Sequence, residues 1–418
     1  MRLFDRTTIL PALTFFVCVF LSLCFAWDRP FHSDEAVQAW RVWDWVFAHG
    51  DLLYEPRFHG LTLYFFAVPF YFLGGGVELV LRLLPILICA GTATALPLIV
   101  WGRERLFFNF GVSVLLATIP LWLFYSGDFI QEPLFVSFAC LAGTLLFFRR
   151  SEIVGGIFLG LAVASKETWV FFVLAFWLGG LRFSWRVLGL AAGTALFFYT
   201  SFFRHLPLFD FSVPASVGND VSYFGVSGIL LLLFLFAAGF LLVYRERSRG
   251  QFFLTVSSAV LWLVYFVLPH REPWLLLSAV PGTVLAFAES LRVLSGQKKY
   301  FLLAGTVFLN ALTLFVFPLE KICGYVETSR GNADFVAAIC RESGTLAVYG
   351  REIWPLPWQL RERASVGYFE DEVLREDFEL VVAPVEFWEK WRGDSYRTLA
   401  VGELREGVIL ELRRRRDF

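Results

Sequence analysis

The sequence predicts a mainly α, polytopic membrane protein of about eleven transmembrane helices with a small C-terminal α/β domain outside the membrane. Three observations predict it. Hydrophobic residues make up 57% of the 418 residues and charged ones only 17%, a balance foreign to soluble folds. Apolar runs of roughly 17 to 25 residues, the length of a bilayer-crossing helix, recur up to about residue 318. Beyond that point the composition turns abruptly to charged residues alternating with β-rich runs. The 49 Phe and 15 Trp agree, because a bilayer accepts Phe in its core and Trp at its interfaces. A net charge of -1 implies no nucleic-acid and no acidic partner.

The first apolar run, 7–27, is long enough to span, and Phe25-Ala26-Trp27-Asp28 offers no small-residue cleavage site. It reads as a retained first helix. Further spans fall near 80–101, 106–125, 133–148, 187–203, 228–244, 251–268, 274–288 and 300–318. The stretch 153–181 carries Lys166 and Glu167 near its middle. As one helix it would bury both at the bilayer centre, whereas two short helices turn at the pair near a surface. Positive charge supports the second choice. With two helices, GRER (102–105), RRSE (149–152), RFSWR (182–186), RERSRG (245–250) and LRVLSGQKK (291–299) fall on the side of the N-terminal MRLFDR. That side is cytoplasmic by the positive-inside rule, and a single helix would send RFSWR and every later basic loop across. The apolar stretch 61–73 is too short to cross and reads as an interfacial or re-entrant helix within a large outer loop, 28–79.

Residues 1–318 are thus expected to form the transmembrane part, with a cytoplasmic N-terminus in a cell or inner membrane, and 319–418 an extracytoplasmic domain. Strands are expected at TLAVYG (345–350), FELVVAP (378–384) and GVILEL (407–412), and the terminal RRRRDF as an outer basic tail. Of the six cysteines, Cys18, Cys24, Cys89 and Cys140 sit in apolar runs as small packing residues. Cys323 and Cys340 fall outside the membrane, where a disulfide is left open.

The polar loops of chemical interest collect on the outer side. In FHSDEAVQAWRVWDWVFAHG, Ser33 caps a helix whose first turn carries Asp34 and Glu35 and whose Trp40, Trp43 and Phe47 share one face. This predicts an amphipathic helix lying along the membrane surface, although acids in a first turn also simply stabilise the helix dipole. YEPRFHG follows with Glu55, Arg57 and His59, which by themselves fit a polar turn at the lipid interface. FYSGDFIQEP adds Asp128 and Glu132, ASKETW adds Lys166 and Glu167, and LPHREPW adds His270 and Arg271. Any one of these charges alone reads as a snorkelling anchor. Their coincidence at one membrane level suits a reaction that deprotonates a hydroxyl and stabilises a phosphate leaving group, with a carboxylate as base and cations as clamp. A divalent metal held by His32, Asp34 and His59 is left open, with no ligand-spacing motif behind it.

At these residues the sequence resembles the GT-C superfamily of polyprenyl-phosphate-sugar-dependent membrane glycosyltransferases, which includes protein O-mannosyltransferases and lipid A aminoarabinose transferases. HSDEAVQAWRVWD, YEPRFHG, YSGDFIQEP, SKETW, REPW and WPLPWQLRER (354–363) are most similar to flippase-activity-associated membrane proteins of glycan pathways. The resemblance implies a GT-C-like fold in which Asp34, with Glu35 beside it, is the catalytic carboxylate. It implies that His32, Glu55, Arg57, His59, Asp128, Glu132, Lys166, Glu167, His270 and Arg271 line the substrate sites. Gly127 stands where the superfamily usually has Arg, so Lys166 or Arg271 is expected to take that phosphate contact.

The expected activity is transfer of a sugar from a polyprenyl-phosphate donor to a glycan, lipid or protein acceptor on the extracytoplasmic face, with membrane lipid as partner. A transporter or flippase-associated subunit handling lipid-linked glycans is the rival, but no internal repeat or mid-membrane broken helix is evident. A noncatalytic scaffold acting through its outer domain is a third reading.

Overall fold

The computed structural model describes residues 6–48, 50–55, 59–201, 231–239, 248–268, 273–292, 294, 296–316, 328–329, 331–351, 353–371, 373–375, 377–391, 395–405 and 407–416. It divides into two compact units, Met1–Asp28 with Gly50–Tyr325, and Arg29–His49 with Val326–Phe418. The composition change near residue 319 predicted a different division. Arg29–His49, expected in the transmembrane half, belongs to the C-terminal unit.

The first unit is helical. Among the described residues, five helices are long and apolar enough to cross a membrane, at Thr8–Ala26, Glu78–Trp101, Gln131–Arg149, Arg249–Val267 and Trp274–Leu291. In chain order the principal helices of this unit are α1 (Arg6–Ala26), α3 (Thr62–Gly74), α4 (Glu78–Trp101), α5 (Leu106–Thr118), α6 (Pro120–Tyr125), α7 (Gln131–Thr144), α8 (Glu152–Ser165), α9 (Trp169–Leu178), α10 (Trp185–Tyr199), α11 (Arg249–Val267), α12 (Val280–Leu291) and α13 (Lys298–Val316). The second unit holds α2 (Ser33–Phe47) and α14 (Asn332–Arg341). Of the span expected at 228–244, residues 231–239 are described and helical.

Local sequence explains where the helices stop. Pro120 supplies the first turn of α6 and disfavours helical backbone at Ile119, so the expected 106–125 span is broken in two. Gly75, at φ 57°, takes the left-handed cap that ends the short α3. Helix α7 continues into a wide π turn over Leu145–Arg149. The chain breaks at Lys166, whose extended backbone (φ -158°, ψ 142°) separates α8 from α9. That break keeps Lys166 and Glu167 at helix ends, as the charge pattern requires.

Small residues set the packing of α8 on α10. A Cβ on Gly160 would lie 2.6 Å from the Ala191 carbonyl oxygen, and one on Gly156 3.0 Å from the Leu190 side chain. The Gly156-xxx-Gly160 stripe therefore brings the two backbones together, a common way for helices to associate where no hydrophobic effect drives them.

The second unit is an α/β structure around a five-stranded sheet of order β2-β1-β3-β5-β4. Its strands are β1 (Leu346–Tyr349), β2 (Val366–Phe369), β3 (Leu380–Pro384), β4 (Tyr396–Arg405) and β5 (Val408–Arg415). β1 pairs parallel with β2 and β3, while β5 pairs antiparallel with β3 and β4. Period-two alternation sends Leu346 and Val348 into a core with Phe335 and Ile339 of α14, and Ala347 and Tyr349 into another with Phe387 and Trp388. The strands expected at 345–350, 378–384 and 407–412 are present; β2 and β4 are additional.

The expected basic tail is instead the end of β5. Arg413 lies over the Trp388 ring at 4.3 Å and bonds Glu411, and Arg414 pairs with Glu342 at 2.9 Å. Alternation along a strand gives successive arginines partners on opposite faces, which a reading of RRRR as a charge run overlooks. Cys340 is exposed with a free thiol, and Cys323 lies outside the described residues.

Candidate functional site

Two groups of the expected residues are ordered by the structure, one in each unit. In the first unit, Tyr54 and the segment His59–Thr62 are tied to the turn between α8 and α9. The Gly60 N–H donates to the Ser165 carbonyl at 3.0 Å, and the Gln131 side-chain amide donates to the Gly60 carbonyl at 2.8 Å. The Thr62 and Ser165 hydroxyls bond at 2.6 Å. A Cβ on Gly60 would come within 1.8 Å of the Ala164 carbonyl oxygen, so the YEPRFHG motif needs glycine there for backbone-to-backbone approach. His59 just before it takes φ 62°, an uncommon left-handed conformation for a non-glycine residue.

These ties aim His59 at Glu167. The His59 Nδ1 lies 2.9 Å from one Glu167 carboxylate oxygen, and the Tyr54 hydroxyl donates to the other at 2.8 Å. Because a carboxylate only accepts, His59 Nδ1 carries the hydrogen. Burial would raise the Glu167 pKa, but the hydrogen bond and charge of His59, together with backbone and Tyr54 donors, outweigh it and hold the carboxyl below its ordinary range. The Tyr199 ring stands edge-on to Tyr54 at 4.8 Å, and its hydroxyl donates to the Val163 carbonyl at 2.6 Å.

Lys166 points the other way, into the protein. Its ammonium is ion-paired with Glu132, and both residues are buried, at 4% and 6% exposure. A pair of opposite charges buried together is close to neutral as a unit. Where the sequence suggested an open phosphate clamp, Lys166 is already balanced by a buried carboxylate in this structure. Asp128 is also buried, in the tight turn after α6, where its N–H donates to the Tyr125 carbonyl at 3.1 Å. Glu55 is half-buried. Arg57, His270 and Arg271 lie outside the described residues. At Gly127, where the resemblance led to the expectation of an arginine, a Cβ would already lie 3.1 Å from the Ala26 Cβ, so the turn packs closely against the end of α1.

In the second unit, α2 carries Asp34 and Glu35, and their environments differ. His32, rather than the expected Ser33, is the N-cap, and its side chain accepts from the Asp34 N–H at 3.2 Å. The Glu35 carboxylate accepts from the His32 N–H at 3.0 Å, which completes a reciprocal capping box. Glu35 is fully buried, whereas half of the Asp34 side-chain surface is exposed, at 51%. Burial lowers the His32 pKa against the opposing pull of Asp34 and Glu35, which favours the neutral ring that an accepting cap requires.

Of the aromatic face of α2 that was expected to lie on the membrane, Trp40 meets protein, whereas Phe47 is 46% exposed. Trp40 stands edge-on to Trp354 at 6.3 Å, Phe31 packs on Trp358 at 5.7 Å, and the Thr328 hydroxyl donates to the Phe31 carbonyl at 2.8 Å. An aromatic stripe on a helix reads the same whether lipid or protein covers it. WPLPWQLRER is thereby explained as structure: its two Trp residues cover the start of α2, and Arg361 stacks on Trp358 at 3.8 Å. Arg363 closes the end of α14 by donating to the Ile339 and Glu342 carbonyls, each at 2.8 Å.

Sequence reasoning missed Tyr54, Gln131 and Tyr199. The first two adjoin acidic residues within YEPRFHG and IQEP; Tyr199 sits in an apolar run and offers no signal. Among the described residues, no group of three His, Cys, Asp or Glu side chains is placed to hold a metal ion.

No family model and no curated protein matches the chain. Solved structures do. ArnT from Cupriavidus metallidurans bound to undecaprenyl phosphate superposes with a TM-score of 0.68 at 13% identity, over 97% of each chain. The apo state of ArnT from the same organism superposes at 0.64, with the same identity and coverage. At this identity the likeness speaks for architecture: the chain is an integral membrane protein with an ArnT-like GT-C fold and a small C-terminal sheet domain.

Proposed function

We propose that the chain is a membrane glycosyltransferase that moves a sugar from a polyprenyl-phosphate donor to an acceptor on the extracytoplasmic face. The observation that carries this reading is the end-to-end likeness to a structure of ArnT bound to undecaprenyl phosphate, covering 97% of both chains. The motif resemblance favours kinship with the flippase-activity-associated proteins of the GT-C superfamily, with the protein O-mannosyltransferases as more distant kin.

In the proposed reaction Asp34 takes the proton of the acceptor hydroxyl as that oxygen bonds to the sugar's anomeric carbon. The bond from that carbon to the polyprenyl phosphate breaks, and the phosphate leaves with the electron pair. Asp34 suits the base because its carboxylate is exposed in a first helical turn. Glu35, bound into the cap, positions that turn. Arg271 and Lys166 meet the charge of the departing phosphate, with Lys166 held ready by Glu132. His32, Glu55, Arg57, His59, Asp128, Glu167 and His270 are proposed to shape the donor and acceptor sites, His59 and Glu167 as one hydrogen-bonded pair. The proposed topology has an extracytoplasmic C-terminal domain and a cytoplasmic N-terminus. Mass spectrometry of glycans and lipid-linked sugars in cells with and without the protein tests it: a polyprenyl-phosphate sugar should accumulate, and a sugar-bearing product disappear, in its absence. Unchanged pools would contradict it.

A further inference from the structure

A second candidate site lies at the other end of α8, about 21 Å from the Lys166 turn at 1.5 Å per helical residue. There the structure holds a cavity of about 770 Å³ among the ends of α7, α8, α9, α10 and α11. Arg150 and Arg182 line it from two connections and Arg249 from the first residue of α11, and Phe147, Val187 and Phe252 form part of an apolar wall. One carboxylate, Glu152, shares the lining, so the cavity has a net positive charge. Among the described residues none of the three arginines forms an ion pair.

Two further observations point to a ligand of mixed character. Phe147 belongs to the π turn Leu145–Arg149, a departure from α geometry that recurs at functional sites, and it lines the cavity. Trp177 and Trp185, 51% and 87% exposed, flank the Arg182 connection, and exposed Trp residues at helix ends mark the level of lipid headgroups. A soluble anion would use the arginines and leave the apolar wall in water. A neutral lipid would use the wall and leave three cations without a counter-charge.

We propose that this cavity binds an anionic phospholipid, its headgroup phosphate among Arg150, Arg182 and Arg249 and its acyl chains along Phe147, Val187 and Phe252. Basic pockets between membrane helices commonly hold anionic headgroups in this way. The site is separate from the residues proposed for sugar transfer and stands whether or not that proposal does.

Native mass spectrometry of the full-length protein in detergent tests it, with palmitoyl-oleoyl phosphatidylglycerol and the matching phosphatidylcholine as probes. The wild type should retain one phosphatidylglycerol in preference to phosphatidylcholine by about tenfold or more, given three arginines at the surface. Joint Arg150→Ala, Arg182→Ala and Arg249→Ala substitution should abolish the preference, and joint replacement by Lys should keep most of it. Arg186→Ala, at the start of α10 and close to Arg182 in sequence but outside the lining, should leave it unchanged. Equal retention of the two lipids by the wild type would overturn the proposal without reference to any variant. So would an undiminished preference in the triple Ala protein, an equal loss in Arg186→Ala, or displacement of phosphatidylglycerol by millimolar inorganic phosphate.

Discussion

His59 Nδ1 lies 2.9 Å from the Glu167 carboxylate, joining the chain just before α3 to the turn between α8 and α9 across 108 residues of sequence. The bond depends on an ionised Glu167, whose pKa is held below the ordinary carboxylate value. A carboxylate with a depressed folded-state pKa contributes stability that is complete above its unfolded pKa and is lost as pH falls through the folded one. Glu167→Gln is therefore expected to cost about 1 kcal/mol near neutral pH, a hydrogen bond to a charged group discounted for partial exposure. The difference between wild type and variant should shrink as pH drops below about 4, beneath the ordinary Glu range. Thermal unfolding of the detergent-solubilised protein across pH reads this directly; a difference that grew on acidification would contradict it.

Lys166 and Glu132 are separated by 34 residues yet form one buried ion pair. Removing one partner leaves a buried charge uncompensated, at a cost of about 3–5 kcal/mol. Lys166→Ala should accordingly lower the unfolding temperature sharply. The double variant Lys166→Met with Glu132→Leu should recover much of that loss, since apolar replacement of a whole buried pair is often tolerated. Turnover separates structure from chemistry: the recovered double variant is expected to stay poorly active, with weaker donor use, if Lys166 meets the phosphate. Full activity in that protein would reduce Lys166 to a structural role.

Glu35 is beside the proposed base but occupied by the helix cap. Glu35→Gln keeps the capping geometry, because Gln serves the same box position. It is expected to cost about 1 kcal/mol, the charge-assisted part of a buried hydrogen bond, and to leave turnover near the wild-type value. A loss of turnover as deep as that of Asp34→Asn, with folding intact, would make Glu35 a participant in the proton transfer.

The helical architecture was legible in the sequence because membrane helices announce themselves by length and apolarity, and the break at Lys166 because burying two charges at mid-membrane is costly. The strand runs around Leu346, Leu380 and Val408 were legible by their β-rich composition. What stayed hidden was tertiary. The affiliation of Arg29–His49 with the C-terminal unit turns on what covers Trp40, and no periodicity distinguishes Trp354 from lipid. The strand within RRRR required knowing that Arg413 and Arg414 have Trp388 and Glu342 as neighbours. Within the candidate site the residue types and their grouping were visible, but the partnerships were not. Lys166 looked like an exposed cation because Glu132 is on another helix, and Glu35 looked catalytic because its carboxylate and that of Asp34 differ only in where the cap directs them.

Reconstituted protein supplied with candidate polyprenyl-phosphate sugars and acceptors tests sugar transfer with Asp34 as base. Release of polyprenyl phosphate, formation of glycosylated acceptor and movement of lipid between leaflets should be measured in the same vesicles. Release matched by product is expected for the native donor and acceptor. With Asp34→Asn folded and inserted, both should fall on the order of a hundredfold to ten-thousandfold. Robust translocation of lipid-linked sugar with no transfer for any donor and acceptor pair, or undiminished transfer by Asp34→Asn, would contradict it.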